Sequence, residues 1–151
     1  MNSATSPQLI TDIPIFVELI IGHVCAGFPS PAEDFGYQRI DLTKELIVHP
    51  QATYMLRAKG HSMINAGIFD NDILVVDRVI KPRHNHIVVA VVDGGDYTVK
   101  RLHMMNGRIK LMAANPEFSD ILPKEGQTVE ICGVVTTSVT QFPSWWLSPE
   151  A

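Results

Sequence analysis

The stretch Ile87–Gly107, IVVAVVDGGDYTVKRLHMMNG, decides the fold class. Its first six residues, Ile87 to Val92, are all apolar and mostly β-branched, the pattern of a short buried strand. Asp93-Gly94-Gly95 follows, and these residue types tolerate the left-handed backbone of a hairpin turn. Tyr97 to Met104 then alternates in character. Asn106-Gly107 is the strongest short hairpin signal, and Arg108 to Ala113 is placed to pair back. Three consecutive antiparallel strands are therefore predicted from this one stretch.

The same punctuation extends in both directions. Ala52 to Ala58 alternates between Pro50 and Gly60. Ile73 to Asp77 is a short apolar run after the turn cluster Asp70-Asn71-Asp72. Val129 to Thr140 is rich in β-branched residues, with Gly133 marking a bulge or bend. Leu42 to Val48 is the candidate for a short helix. Seven or so short strands at close spacing predict a mostly-β fold, a sandwich or partly open barrel. There is no internal repeat, no βαβ alternation, and no Walker or GxGxxG motif, which excludes a doubly wound nucleotide-binding fold.

The chain has 151 residues, 46% hydrophobic, 19% charged and 7% aromatic, a globular composition. Its net charge is −4, against a strongly basic nucleic-acid-binding domain. The charge is unevenly placed. No Lys or Arg precedes Arg39, while Asp12, Glu18, Glu33 and Asp34 all lie in that base-free segment. Ile13 to Val24 is apolar, but it has no basic region before it and contains Glu18, so it does not read as an export signal. It is also shorter than the roughly 20 apolar residues that span a bilayer. The protein is expected in the cytoplasm, without a membrane. The segment is too short and too acidic for a helix-turn-helix. Phe28 to Gly36, with two prolines, reads as an extended linker. Residues 15–21 suit either a short strand or one or two helical turns. A flexible N-terminal arm is thus expected before the globular part.

Few residues offer chemistry. Cys25 and Cys132 form no CxxC pair and read as free thiols, with Cys132 buried in a strand. His84 and His86 have the i, i+2 spacing that would put two imidazoles on one strand face, but no third ligand stands at a useful spacing, and the stretch reads as a polar loop before a strand rather than a metal site. Asp70 and Asp72 read as a turn. Trp145-Trp146, in a Pro-flanked tail, is expected to pack. Ser62, in Gly60-His61-Ser62-Met63, and Lys100, inside an apolar strand, remain. A serine hydroxyl needs an adjacent base, and serine–lysine pairs are one solution. At an ordinary lysine pKa only about one molecule in a thousand is neutral near pH 7.4, a penalty of roughly 4 kcal/mol. Burial lowers a lysine pKa by up to about 3–5 units. Lys100 therefore acts as a base only against apolar strands with no carboxylate close by. Solvent-facing lysine and turn-capping serine are the ordinary alternatives. His61 is badly placed to reach its neighbour's hydroxyl, and Ile64 breaks a G-x-S-x-G elbow.

Four motifs together carry a resemblance: AGFPSP at 26–31, G-x-S-M at 60–63, D-x-L-x-V-D at 72–77 and T-V-K-R-L at 98–102. The chain resembles the UmuD/MucA family, accessory subunits of SOS-induced error-prone DNA polymerase V. That family shares a self-cleaving peptidase domain with LexA and phage repressors. The resemblance spans about Ile15 to Pro143. It implies a LexA/signal-peptidase-like fold, with Ser62 as nucleophile, Lys100 as general base and Ala26–Gly27 as the cleaved bond. Backbone N–H groups of Ser62 and Met63 are then the natural oxyanion donors. It divides the chain into a removable arm (1–26), a linker (27–38) and the peptidase domain (39–151). Cys25 falls one residue before the cleaved pair, and Gly94-Gly95 adds a residue to a hairpin.

The resemblance further implies a homodimer, stimulation by the RecA filament on single-stranded DNA, and a UmuC-like Y-family polymerase subunit as partner. No cofactor and no sequence-specific DNA binding are implied. A signal peptidase, a non-catalytic β interaction module and a fragment of a LexA-type repressor are the alternatives. The missing membrane anchor argues against the first and the missing basic N-terminus against the last.

Overall fold

The computed structural model describes residues 14–21, 27 and 36–142. The expected bond residue Ala26, together with Cys25 and Trp145-Trp146, lies outside the described residues. The described residues divide into two compact units, one within Thr11–Val48 and one from His49 onward.

In the first unit, β1 (Phe16–Ile21) pairs antiparallel with β2 (Gly36–Asp41) over six register pairs, Phe16↔Asp41 to Ile21↔Gly36. Residues 15–21, open between strand and helix in the sequence, contain a strand. Residues 36–38, expected as linker, are also strand. Asp41 ends β2 and starts α1 (Leu42–Leu46), because its carboxylate accepts the Thr43 N–H at 3.0 Å and caps the helix. The same carboxylate accepts the Ile15 N–H at 3.3 Å. The Arg39 guanidinium stands 4.5 Å over the Phe16 ring, which joins the two strands on one side.

In the second unit, six antiparallel strands form one sheet in the order β3-β4-β8-β5-β6-β7. They are β3 (Thr53–Arg57), β4 (Ile73–Asp77), β5 (Ile87–Val92), β6 (Tyr97–Met105), β7 (Arg108–Met112) and β8 (Val129–Val139). The fold is mostly β and open, with no closed barrel. The two hairpins formed as their residues dictate. Asp93 and Gly94 have φ of 52° and 66°, and Asn106 and Gly107 have 53° and 71°. Paired positive φ values match the right-handed twist of the flanking strands.

The long strand β8 joins the two halves of the sheet. Its first half pairs with β5 and its second with β4, and Val134 pairs with both Val88 and Asp77. Two register shifts allow this. Cys132 is the extra residue opposite β5, and Thr136 the extra residue opposite β4. Gly133 sits at this crossing, where a Cβ would stand 2.5 Å from Val76 Cγ1. Cys132 lies in a strand as expected, but at a bulge, and it is half-buried rather than buried.

Both faces of the sheet are covered. Leu74, Val76 and Val89 pack with Tyr54, Met63 and Ile68 on one side. Val88, Ala90, Leu102, Leu111 and Val134 pack on the other. This is why the Ile87–Val92 run shows no polar alternation: its side chains point alternately into two apolar layers. Asp77 is buried at the end of β4. Its carboxylate accepts from the Val79 and Ile80 N–H groups and meets His49 Nδ1 at 2.6 Å.

Candidate active site

Residues 58–72 connect β3 to β4, and their ends are tied together. The Ala58 N–H donates to Asp72 O at 2.8 Å, and the Asn71 N–H to Ala58 O at 2.7 Å. Gly60 takes φ of 90°, with its N–H held by the Asp70 carboxylate at 2.7 Å. A non-glycine residue there would be strained. Asp72 accepts from the Phe69 N–H at 2.8 Å, so both acids shape the turn. Met63 plugs into the core at 3% exposure. Ser62 precedes this anchor and is half-buried.

Lys100 comes from β6, opposite Val88. Strand β7 pairs with β6 only from Arg101 onward, so Lys100 lies just past the end of that pairing. Its side chain is buried, at 8% exposure, and its ammonium nitrogen has three oxygen partners. It donates to Ser62 Oγ at 3.0 Å, Thr98 Oγ1 at 3.0 Å and Val99 O at 3.1 Å. Among the described residues no carboxylate forms an ion pair with it. Burial alone pushes its pKa down. The neutral amine also suits this cage. It has two N–H groups for Val99 O and Thr98 Oγ1, and one lone pair that accepts the Ser62 hydroxyl proton.

Ser62 and Lys100 open on a cleft of about 230 Å³, whose walls include Leu56, Met63, Val89 and Val99. The N–H groups of Ser62 and Met63 donate to no group among the described residues. Their carbonyl sides are held instead. The Ala114 N–H donates to Ser62 O at 2.8 Å, and Asn115 Nδ2 to His61 O at 2.8 Å.

The other sequence candidates fall elsewhere. The His61 side chain is exposed, and it makes no hydrogen bond to Ser62 among the described residues. His84 Nδ1 accepts the Met104 N–H at 3.1 Å, and His86 Nδ1 the Arg83 N–H at 3.2 Å. Gly27 is exposed in a bend with open space about it. Sequence reasoning missed Thr98, Ala114 and Asn115. Thr98 carries a readable signal, since i and i+2 on a strand share a face. Asn115 carries none, since it meets His61 across 54 residues of chain.

This geometry, a serine and a buried lysine on an open antiparallel sheet, belongs with a match over residues 18–136 to the peptidase S24-like family. The chain belongs to that family, a family of serine-peptidase-type hydrolases, and within it to the UmuD/MucA group. It is 46% identical to protein ImpA of Salmonella typhimurium over 112 residues, 74% of each chain. It is 39% identical to protein MucA of Escherichia coli over 135 residues, 89% of this chain and 88% of the relative. The LexA repressor of Bordetella parapertussis is 38% identical over 94% of this chain and 65% of its own length. The protein is accordingly UmuD-like, SOS-related and of peptidase fold. Among the described residues, no helix is long and apolar enough to cross a membrane.

Proposed function

We propose that this protein cleaves itself at Ala26–Gly27, with Ser62 as nucleophile and Lys100 as general base. The 3.0 Å contact between Lys100 Nζ and Ser62 Oγ, in a buried setting with no acidic partner among the described residues, supports this most. Neutral Lys100 takes the Ser62 proton as Oγ attacks the Ala26 carbonyl carbon. The oxyanion forms beside the free Ser62 and Met63 N–H groups. Collapse breaks the bond to Gly27, whose nitrogen receives the proton from Lys100. Water, deprotonated by Lys100, then attacks the Ser62–Ala26 ester, and Lys100 returns the proton to Ser62 Oγ as it leaves, freeing the Ala26 carboxylate. The bond lies 35 residues before Ser62, and cleavage within one chain and cleavage between two are both open to it.

The products are residues 1–26 and Gly27–Ala151. The longer one, as a homodimer, serves a UmuC-like Y-family polymerase in error-prone translesion synthesis in the cytoplasm. The RecA filament on single-stranded DNA stimulates cleavage by favouring the state in which the bond sits in the cleft. Full-length protein incubated at alkaline pH should yield Gly27–Ala151 by intact mass, faster with activated RecA filament. Ser62→Ala and Lys100→Ala should yield none; fragment formation by either would overturn the dyad.

A further inference from the structure

The two N–H groups beside Ser62 belong to peptide units whose carbonyls are both occupied. In a trans peptide the C=O and N–H point in opposite directions, and there are no cis bonds among the described residues. The direction of the Ser62 N–H is therefore set by what holds His61 O. The direction of the Met63 N–H is set by what holds Ser62 O.

Both anchors come from the segment after β7. Ala114 N–H holds Ser62 O at 2.8 Å, and the Asn65 N–H returns a bond to Ala114 O at 2.8 Å. Asn115 Nδ2 holds His61 O at 2.8 Å. His61 O also receives the Ile64 N–H, but at 3.4 Å, a long turn bond that restrains it little. Asn115 is itself fixed: it is 7% exposed, and its Oδ1 accepts the Glu117 N–H at 3.1 Å. One buried amide thus serves two ends, its own turn and the serine loop. That role needs a donor and an acceptor on one short side chain, which asparagine has and aspartate lacks.

We propose that Asn115 is a positioning residue for the self-cleavage proposed above, and the inference rests on that reading. With Ala114 it clamps the two peptide planes so that the Ser62 and Met63 N–H groups face the developing oxyanion before substrate arrives. Asn115 touches neither the scissile bond nor Lys100. Its loss therefore lowers the maximal rate and leaves the protonation of Lys100 alone.

The test uses the full chain and follows the first-order cleavage rate against pH. Asn115→Ser, uncharged and too short to reach His61 O, removes that donor and is read for both rate and midpoint. Asn115→Asp keeps the acceptor for the Glu117 N–H and is read for rate alone, because its new carboxylate would itself raise the Lys100 pKa; circular dichroism checks that each variant folds. The expected result is a plateau rate lower by ten- to a hundredfold, less than the roughly 10²–10³ for deleting an oxyanion donor outright, with the alkaline midpoint unmoved. A folded variant within threefold of the parent rate would overturn the clamp. So would a shifted midpoint, which would place Asn115 in the lysine's environment. If the parent chain yields no fragment, or Ser62→Ala yields it, the self-cleavage reading fails instead.

Discussion

Burial lowers the pKa of Lys100, and no carboxylate forms an ion pair with it among the described residues, so its hydrogen-bond partners tune it. Thr98 Oγ1 is one of three oxygens around the nitrogen. A hydrogen bond to an ammonium is stronger than one to an amine, by about 1 kcal/mol net. Thr98 therefore stabilises the protonated form more than the base. The cleavage rate should rise with pH as Lys100 loses its proton, with a midpoint below the ordinary 10.5. Thr98→Val should move that midpoint further down, by about 0.7 pH unit. It should also lower the plateau, since the amine loses a contact that aims it at Ser62. A pH–rate profile of the variant checks both; an unmoved or raised midpoint would remove Thr98 from the tuning of Lys100. At this scale the sequence showed the pair only through the resemblance. Ser62 and Lys100 taken alone look like any turn serine and any strand lysine, because a buried cage assembled from β6 and the 58–72 connector leaves no local trace.

Elements were far more legible than contacts. Strands β4 and β5 occupy the runs Ile73–Asp77 and Ile87–Val92 read from composition, and no end of β3, β6, β7 or β8 differs from its expected position by more than one residue. Turn chemistry explains this: Asp-Gly and Asn-Gly pairs stop strands locally, so their ends need no distant information. What stayed hidden was β8. Its β-branched residues announce a strand, but its two bulges arise because it pairs with β4 and β5 on offset halves, a property of its partners. Gly133 carries the consequence. The atoms nearest its missing Cβ are Val76 Cγ1 at 2.5 Å and Asp77 O at 3.2 Å, one on a fully buried side chain and the other backbone. Neither yields cheaply in a packed core. Gly133→Ala should destabilise the protein by roughly 1–3 kcal/mol. Urea denaturation should show a lower midpoint at unchanged slope. A variant as stable as the parent would mean the crossing is looser than this geometry.

On the scale of the whole chain, the first unit changes what the acidic segment means. The base-free stretch before Arg39 reads as an arm and a tether, yet residues on either side of the proposed bond form one β-pair. β1 lies before Ala26–Gly27 and β2 after it. Pairing across a sequence gap of 14 residues, rich in Gly and Pro, leaves no periodicity to read. In the intact chain this pairing is intramolecular, and the connection keeps the effective concentration of β1 at β2 high. Cutting between them makes the same pairing bimolecular. A two-stranded ribbon is marginal even when its strands are joined, and the Phe16, Val17 and Leu19 side chains are each at least 37% exposed, so they bury little apolar surface. Residues 1–26 should therefore leave after cleavage, taking Asp12 and Glu18 and moving the side-chain charge from −4 toward −2. Gly36–Asp41 then loses its hydrogen-bonding partner. Amide hydrogen exchange across Gly36–Asp41 should accelerate strongly in the purified product relative to the Ser62→Ala full chain, while β4 and β5 stay protected. Equal protection in the two forms, with the short fragment co-eluting on gel filtration, would show that β1 stays on β2 after the bond is broken.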